Sequence, residues 1–186
     1  MSKLIIICSA AMAITFGSSS MWLYSKSILG QVLLELAWQK TLITDDAVKA
    51  WPWADTWPVA KLKVDNTGAS LIVLEGVSGE ALAFGPGRIA GLSSTAEAGT
   101  YAIGGHRDSH LAFLEHINNG DTLSLQTRDG AESRFTVTEQ FVADSATESM
   151  VVNEHLHALV LITCYPFNAL QTGGDLRYVV VAHAAA

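Results

Sequence analysis

The chain has 186 residues, 49% of them hydrophobic, a size that suits one domain with a real core. Eleven Lys and Arg against eighteen Asp and Glu leave a net charge of −7, and the cations form no basic stripe, which argues against nucleic-acid binding. Two cysteines far apart in the chain, Cys8 and Cys164, exclude a disulfide framework and a four-cysteine zinc site.

The first stretch, "LIIICSAAMAITFGSSSMWLY" from Leu4 to Tyr24, carries no charge. As a helix, 21 residues span roughly 31 Å, close to the hydrocarbon thickness of a bilayer. A cleaved signal peptide is the rival reading, but its apolar region is shorter and follows a basic segment. Only Lys3 precedes this stretch, and no clear small-x-small cleavage site follows it. A buried core helix would pack Gly17 and Ser18 to Ser20 poorly. The expectation is therefore a membrane anchor over residues 1–26. Lys3 and Lys26 flank it evenly, so charge bias alone assigns no orientation.

From Gln31 to Ala50 the chain reads as helix, with Val32, Leu33, Leu36, Ala37, Leu42 and Ile43 at roughly helical spacing. "WPWADTWPVAKL" follows, and its two Trp-Pro pairs end helical propensity. Trp51, Trp53 and Trp57 are expected to form a packing plug that seats the helix on the following domain. Residues 27–56 thus read as a helical juxtamembrane segment and linker, and 57–186 as the main domain.

Beyond this point the period changes to that of strands. "VAKLKV", "SLIVLEG", "EALAFG", "TYAIGG", "DTLSLQT", "ESRFTVTEQFV", "HALVLIT" and "LRYVVVAH" are short runs rich in Val, Leu, Ile, Thr and aromatics. Most are separated by Gly, Asp or Asn turns. The expected fold class is mostly β: a closed or nearly closed barrel of about eight strands. "DSHLAFLEHI" is the one helical segment inside this region, with Asp108 or Ser109 as its N-cap.

Three residues at strand ends can carry chemistry together. "YAIGGHRDSH" places His106 after a strand and two glycines, "LITCYPF" places Cys164 at the end of another, and "LRYVVVAH" places Arg177 at the start of the last. Each alone reads more simply as a packed thiol, a loop imidazole or a strand-edge charge. In combination they suffice for acyl transfer. A nearby imidazolium favours the thiolate, which is the attacking species. The same histidine can protonate a leaving amine and deprotonate an incoming one. A guanidinium can hold the oxyanion that forms on the attacked carbonyl. Asp108, two residues after His106, can bias the imidazole.

Taken together, "GGHRDSHLAFLEHINNGDTLSLQT", "LVLITCYPF" and "GGDLRYVVVAH" resemble the sortases, membrane-anchored cysteine transpeptidases of bacterial surfaces. The matching features are Gly105-His106, Gly120-Asp121, Leu161-Ile162-Thr163-Cys164 and Arg177, with 13 positions from Cys164 to Arg177. The likeness covers roughly Trp57 to His183. "WPWADTWPVAKL" and "CYPFNAL…GGDLRYVV" look most like the proteobacterial subgroup called class GN.

The resemblance implies an eight-stranded barrel with catalysis at one edge. It implies His106 as general acid/base, Cys164 as nucleophile and Arg177 as oxyanion clamp. Thr163 would line the peptide groove beside them, and Asp108 falls within the same substrate-facing loop. The substrate would be a secreted protein with a C-terminal sorting signal, and the acceptor an amine. The implied location is the bacterial inner (cytoplasmic) membrane, single-pass, with the catalytic domain on the extracytoplasmic side. No cofactor follows from the resemblance. No metal is expected either, because no acidic cluster suited to calcium is visible.

The chain departs from many relatives in having "SSTAEAGTYAIGG" where they carry Pro-Gly before the histidine strand. "FVADSATESMVVNEH", which would frame the groove, gives no clue to the motif read. Three rivals stay open on the residues alone. A metal site could use His106 with His110 or His155 with His157, although Gly104-Gly105 disfavours a helix there and the HExxH glutamate is absent. A hydrolase would use the same three residues with water as acceptor. A silent peptide-binding barrel would use none of them.

Overall fold

Alternation of apolar and polar side chains becomes a closed sheet in the computed structural model, which describes residues 26–93, 99–147, 156–169 and 173–184. The strands are β1 (Pro58–Val64), β2 (Ala69–Glu75), β3 (Gly87–Arg88), β4 (Tyr101–Gly105), β5 (Thr122–Thr127), β6 (Glu132–Asp144), β7 (Ala158–Cys164) and β8 (Leu176–Ala184). Around the barrel they run β1-β2-β3-β4-β7-β8-β6-β5, and β5 closes back onto β1. All pairings are antiparallel except β2 with β3 and β4 with β7. Closure removes the unpaired edges that an open sheet of this size would present to solvent.

The pleat sorts the side chains. In β1, Ala60, Leu62 and Val64 are buried inside, whereas Lys61 and Lys63 face out and pair with Glu35 and Glu132. Leu123, Leu125, Phe135, Ile103, Leu159, Leu161 and Val180 meet Leu62 in the interior. Each such side chain contributes about 1.5–3 kcal/mol by leaving water. The β1–β2 turn closes through Gly68, at φ 67°, whose N–H donates to the Val64 carbonyl.

Two expected elements differ. "EALAFG" is not a strand but the helix α2 (Gly79–Phe84). Ser78 caps it by accepting from the Ala81 N–H, and four good helix formers follow. The place of the missing strand is taken by β3, only two residues long and unreadable by periodicity. "DSHLAFLEHI" is reduced to a turn and a 3₁₀ segment, Ala112–Glu115, capped by neither Asp108 nor Ser109.

Helix α1 spans 26–44 in the described chain and packs on the outside of β2. It buries Gly30, Leu34, Ala37, Trp38 and Thr41; of the expected stripe only Ala37 is buried, Leu33 and Leu42 are half-buried, and Val32, Leu36 and Ile43 face solvent. At 100° per residue the buried set occupies an arc of about 100°, and the exposed apolar set occupies the opposite side. The plug is therefore Trp38, fully buried against Ile72, Leu74 and Ala81. Of the linker tryptophans, Trp51 packs edge-on against Phe84 at 4.7 Å, while Trp53 is 80% exposed. The helix spans the barrel's height, with Gln31 bonded to Phe84 near one end and Asp45 paired with Arg128 at the other. The expected anchor, apart from Lys26, lies outside the described residues, as does Cys8. Among the described residues no helix is long and apolar enough to cross a membrane.

Because Trp38 is the largest side chain buried at the α1–β2 contact, Trp38→Ala should destabilise the domain by about 3–5 kcal/mol, the range for emptying a large buried site. Its indole N–H is buried without a partner, so Trp38→Phe should cost clearly less than Trp38→Ala. Urea unfolding of both variants checks the order; equal losses would mean that the indole nitrogen finds a partner.

Candidate active site

The parallel pairing of β4 with β7 builds the site. Parallel neighbours end on the same side of a sheet, so the last residues of both strands share one rim. The register sets Gly105 against Thr163, and His106 and Cys164 are the next residues on each. β8 runs antiparallel to β7, so its start reaches the same rim. There Arg177 pairs directly with Cys164, at a Cα separation of about 4.5–5.5 Å for opposed residues. The structure thus brings His106, Cys164 and Arg177 to one rim from three adjacent strands.

Parity decides which way each side chain points. Leu159, Leu161 and Thr163 face the interior of β7, so Cys164 falls on the outer face with Val160 and Ile162. Its thiol is free and half-buried. Arg177 lies on the same outer face, half-buried, and its Nη1 donates to the carbonyls of Gly174 and Leu176 at 2.6 and 2.9 Å. These bonds hold the guanidinium against its own strand entry. His106 is exposed in the turn after β4.

That turn is tightly specified. Leu111 folds back over Gly105, where a Cβ would stand 2.8 Å from the Leu111 Cγ, so only glycine fits before the histidine. The Leu111 N–H donates to the His106 carbonyl at 3.0 Å. Arg107 donates to the Ala169 carbonyl at 2.9 Å and ties the turn to the segment after Cys164. Gly120-Asp121 has a mechanical reason as well: the Asp121 carboxylate accepts from the Asn118 N–H and the Asn66 amide and fixes the entry to β5.

Two expected site residues take other places. Thr163 does not line a groove: it is 2% exposed, and its hydroxyl donates to the Gly105 carbonyl at 2.8 Å. Interior parity puts it there, and the bond clips the end of β4 to the end of β7. Asp108 is exposed, and its charge acts on His110. His110 is held below the ordinary imidazole range, first by burial and then by the neighbouring His106, with Asp108 opposing. Among the described residues no cluster of three or more His, Cys, Asp or Glu is placed to hold a metal ion.

Sequence reasoning missed two surfaces flanking Cys164. On the outer face, Ala102, Ala143, Val160, Val179, Ile89 and Leu92 form an apolar floor leading to the thiol. Over the rim, Tyr165, Phe167 and Tyr178 pack on one another and line a recess of about 300 Å³ with Glu115. The aromatic pair in "CYPF" was the available signal, but only the Thr163–Tyr178 pairing shows that the last strand completes it. A larger cavity of about 410 Å³ sits at the opposite rim, where Arg88 grips Glu75 bidentately, and is remote from the thiol.

Comparison with known proteins agrees with this geometry. Residues 62–185 match the family model described as a sortase domain. The chain is 28% identical over 120 residues to sortase D of Bacillus subtilis (strain 168), which covers 64% of this chain and 60% of that protein's length. Among solved structures, a sortase D5 transpeptidase of Clostridium perfringens superposes with a TM-score of 0.65 at 19% identity, covering 85% of this chain and 99% of that one. Sortase A of Corynebacterium diphtheriae gives 0.62 at 17% identity, covering 84% of each chain. Sortase A of Listeria monocytogenes gives 0.60 at 22%, covering 69% and 88%. These structural likenesses concern the fold.

Removing the Thr163 hydroxyl strands the Gly105 carbonyl. Thr163→Val should therefore cost about 1–3 kcal/mol in urea unfolding, and Thr163→Ser should recover most of it. A valine variant as stable as the parent would show that the clip contributes nothing. The lowered pKa of His110 has a definite sign in stability. The unfolded chain takes up that proton first, so this part of the stability is present above about pH 6.5 and fades as pH falls below it. His110→Gln should flatten the fall between neutral and mildly acid pH, measured by urea unfolding across that range; an unchanged slope removes His110 as its source.

Proposed function

The chain belongs to the sortase family, and from that premise and the geometry of the rim we propose that it is a cysteine transpeptidase. Supporting the reading most directly is the register that pairs Cys164 with Arg177 and sets both beside the end of β4, where His106 follows. The Cys164 thiolate attacks a peptide carbonyl. The oxyanion that forms lies toward the Arg177 guanidinium, which the Gly174 and Leu176 carbonyls already hold in place. The tetrahedral adduct collapses to a thioester as the C–N bond breaks, and the leaving amine takes its proton from His106. An incoming amine then attacks the thioester and gives its proton back to His106, and the thiolate leaves. Cysteine, histidine and arginine each return to their starting state.

The apolar floor outside β4 and β7 suits an extended peptide segment, and the aromatic recess gives the acceptor a separate approach to the same sulfur. We take the donor to be a secreted protein carrying a C-terminal sorting signal. The class GN assignment rests on the "WPWADTWPVAKL" and "CYPFNAL" stretches. The uncharged run from Leu4 to Tyr24 would anchor the enzyme in the bacterial inner membrane, with the domain from residue 57 on the extracytoplasmic side and 27–56 as its juxtamembrane part. The curated relative is matched over 60% of its length, so activity, substrate and acceptor all stand as parts of this proposal.

Cys164→Ala should abolish both cleavage of a peptide donor and the trapped thioester, with an unchanged melt. Mass spectrometry of the full chain incubated with a peptide library detects the acyl adduct, and cleavage by the alanine variant would end the covalent mechanism. Arg177→Lys keeps the charge but loses the planar fork, and should slow acylation by about 10²-fold or more, the scale for an oxyanion donor. An acylation rate near that of the parent would reduce Arg177 to a strand-end charge.

A further inference from the structure

Helix α1 presents two unlike faces, and only one is explained by the fold. Gly30, Leu34, Ala37, Trp38 and Thr41 bury themselves on the barrel. On the opposite side Ile28, Leu29, Val32 and Leu36 are 49–61% exposed. At 100° per residue these four occupy a single arc of about 100°. Gln39 and Lys40 then enter that face and separate it from Ile43 at the far end. The apolar surface is thus confined to the first three turns of the helix. An amphipathic surface helix normally faces solvent with polar side chains, so a contiguous apolar stripe there marks a contact surface.

What this end of the molecule adjoins is fixed by contacts. The Phe84 ring lies beside Gly30, and Gln31 donates to the Phe84 carbonyl at 2.8 Å. Trp51 packs on the same ring, and Trp53, two residues on, is exposed. Pro86 in turn abuts Gly105, where a Cβ would stand 3.4 Å from the Pro86 Cβ. The N-terminal half of α1 therefore shares one end of the barrel with the rim of His106 and Cys164. Its C-terminal end, through Asp45 and Arg128, marks the opposite rim.

We propose that Ile28, Leu29, Val32 and Leu36 form a membrane-docking patch that turns the His106–Cys164 rim toward the bilayer. The occupant is identified by the chain itself. The uncharged run Leu4 to Tyr24 ends two residues before Lys26, so the patch begins within about one helical turn of where an inserted segment would leave the lipid. Apolar side chains held there on a helix face enter the headgroup boundary. A second copy of the chain would have no reason to select only the turns nearest the anchor. The orientation matters for the proposed reaction, because a sorting signal with an apolar segment would offer its cleavage motif close to the membrane surface. The inference rests on the anchor reading above.

The test uses the full chain inserted in vesicles of phosphatidylethanolamine and phosphatidylglycerol. Benzoylphenylalanine is placed singly at Leu29, at Val32, or at Ala47 on the far rim, all exposed positions whose side chains make no hydrogen bond or ion pair. After irradiation, lipid adducts at Leu29 and Val32 should exceed those at Ala47 by about tenfold or more, since the far rim stands roughly 28 Å away, one length of α1. Equal lipid labelling at all three positions, or adducts to a second copy of the chain at Leu29 and Val32, overturns the patch. Flotation of the same samples separates the two readings: a chain that floats without lipid adducts loses the patch and keeps the anchor, whereas a chain that does not float loses both.

Discussion

Everything at the rim depends on one pairing, the parallel ladder between β4 and β7. An antiparallel neighbour would have set the end of one strand beside the start of the other and placed His106 and Cys164 a strand length apart. Parallel strands need a long crossover between them. Here the chain from His106 to His157 supplies it and builds β5 and β6 on the way. That excursion explains why histidine and cysteine, 58 positions apart in the chain, end side by side. It also explains why the clip between them is a side chain. The Thr163 hydroxyl bonds the Gly105 carbonyl at the last rung, where the backbone ladder is about to run out.

The site is therefore made of strand ends, and its precision comes from what lies beneath and around it. Below the rim, Ile103, Leu161 and Val180 fill the barrel and leave the strands no freedom to shift. Around the rim, short polar bonds fix the connections. Leu111 bonds back to His106, Arg107 reaches Ala169, and Arg177 is tethered to Gly174. Alternation then assigns the two faces. Cys164 looks outward over an apolar floor, while Tyr178, one position from Arg177, looks inward and completes the aromatic recess. A thiol between two differently lined approaches suits a reaction with two substrates.

The helix that packs outside the barrel adds a direction to this arrangement. It docks through Trp38 over β2 and runs from the level of the His106 rim to the opposite one. A rod fixed in this way ties the polarity of the barrel to the polarity of the chain. The first described turn of the helix is on the side of the rim, and the ion-paired cavity at Arg88 and Glu75 is on the other.

Much of this was legible in the residues. Strands of period two, bounded by Gly, Asp and Asn, specify a β domain, because each strand must bury one face whatever its partners are. The Gly-His, Thr-Cys and Arg positions are readable as strand ends, since each adjoins such a run. At "EALAFG" the Ser78 cap and four helix formers outweigh a short apolar run, and β3 has too few residues to show a period. The burying face of α1 is equally hidden from local pattern. Two apolar stripes on one helix are equivalent in sequence, and only the surface of β2 selects Leu34 and Trp38 over Val32 and Leu36. Nor does any local pattern say that β4 pairs with β7, or that Thr163 turns inward while Cys164 turns outward. Strand order and register are properties of the closed barrel, decided by contacts between residues far apart in the chain. By itself the sequence determined which three residues are the candidates for the chemistry, and the tertiary structure alone decided that they meet.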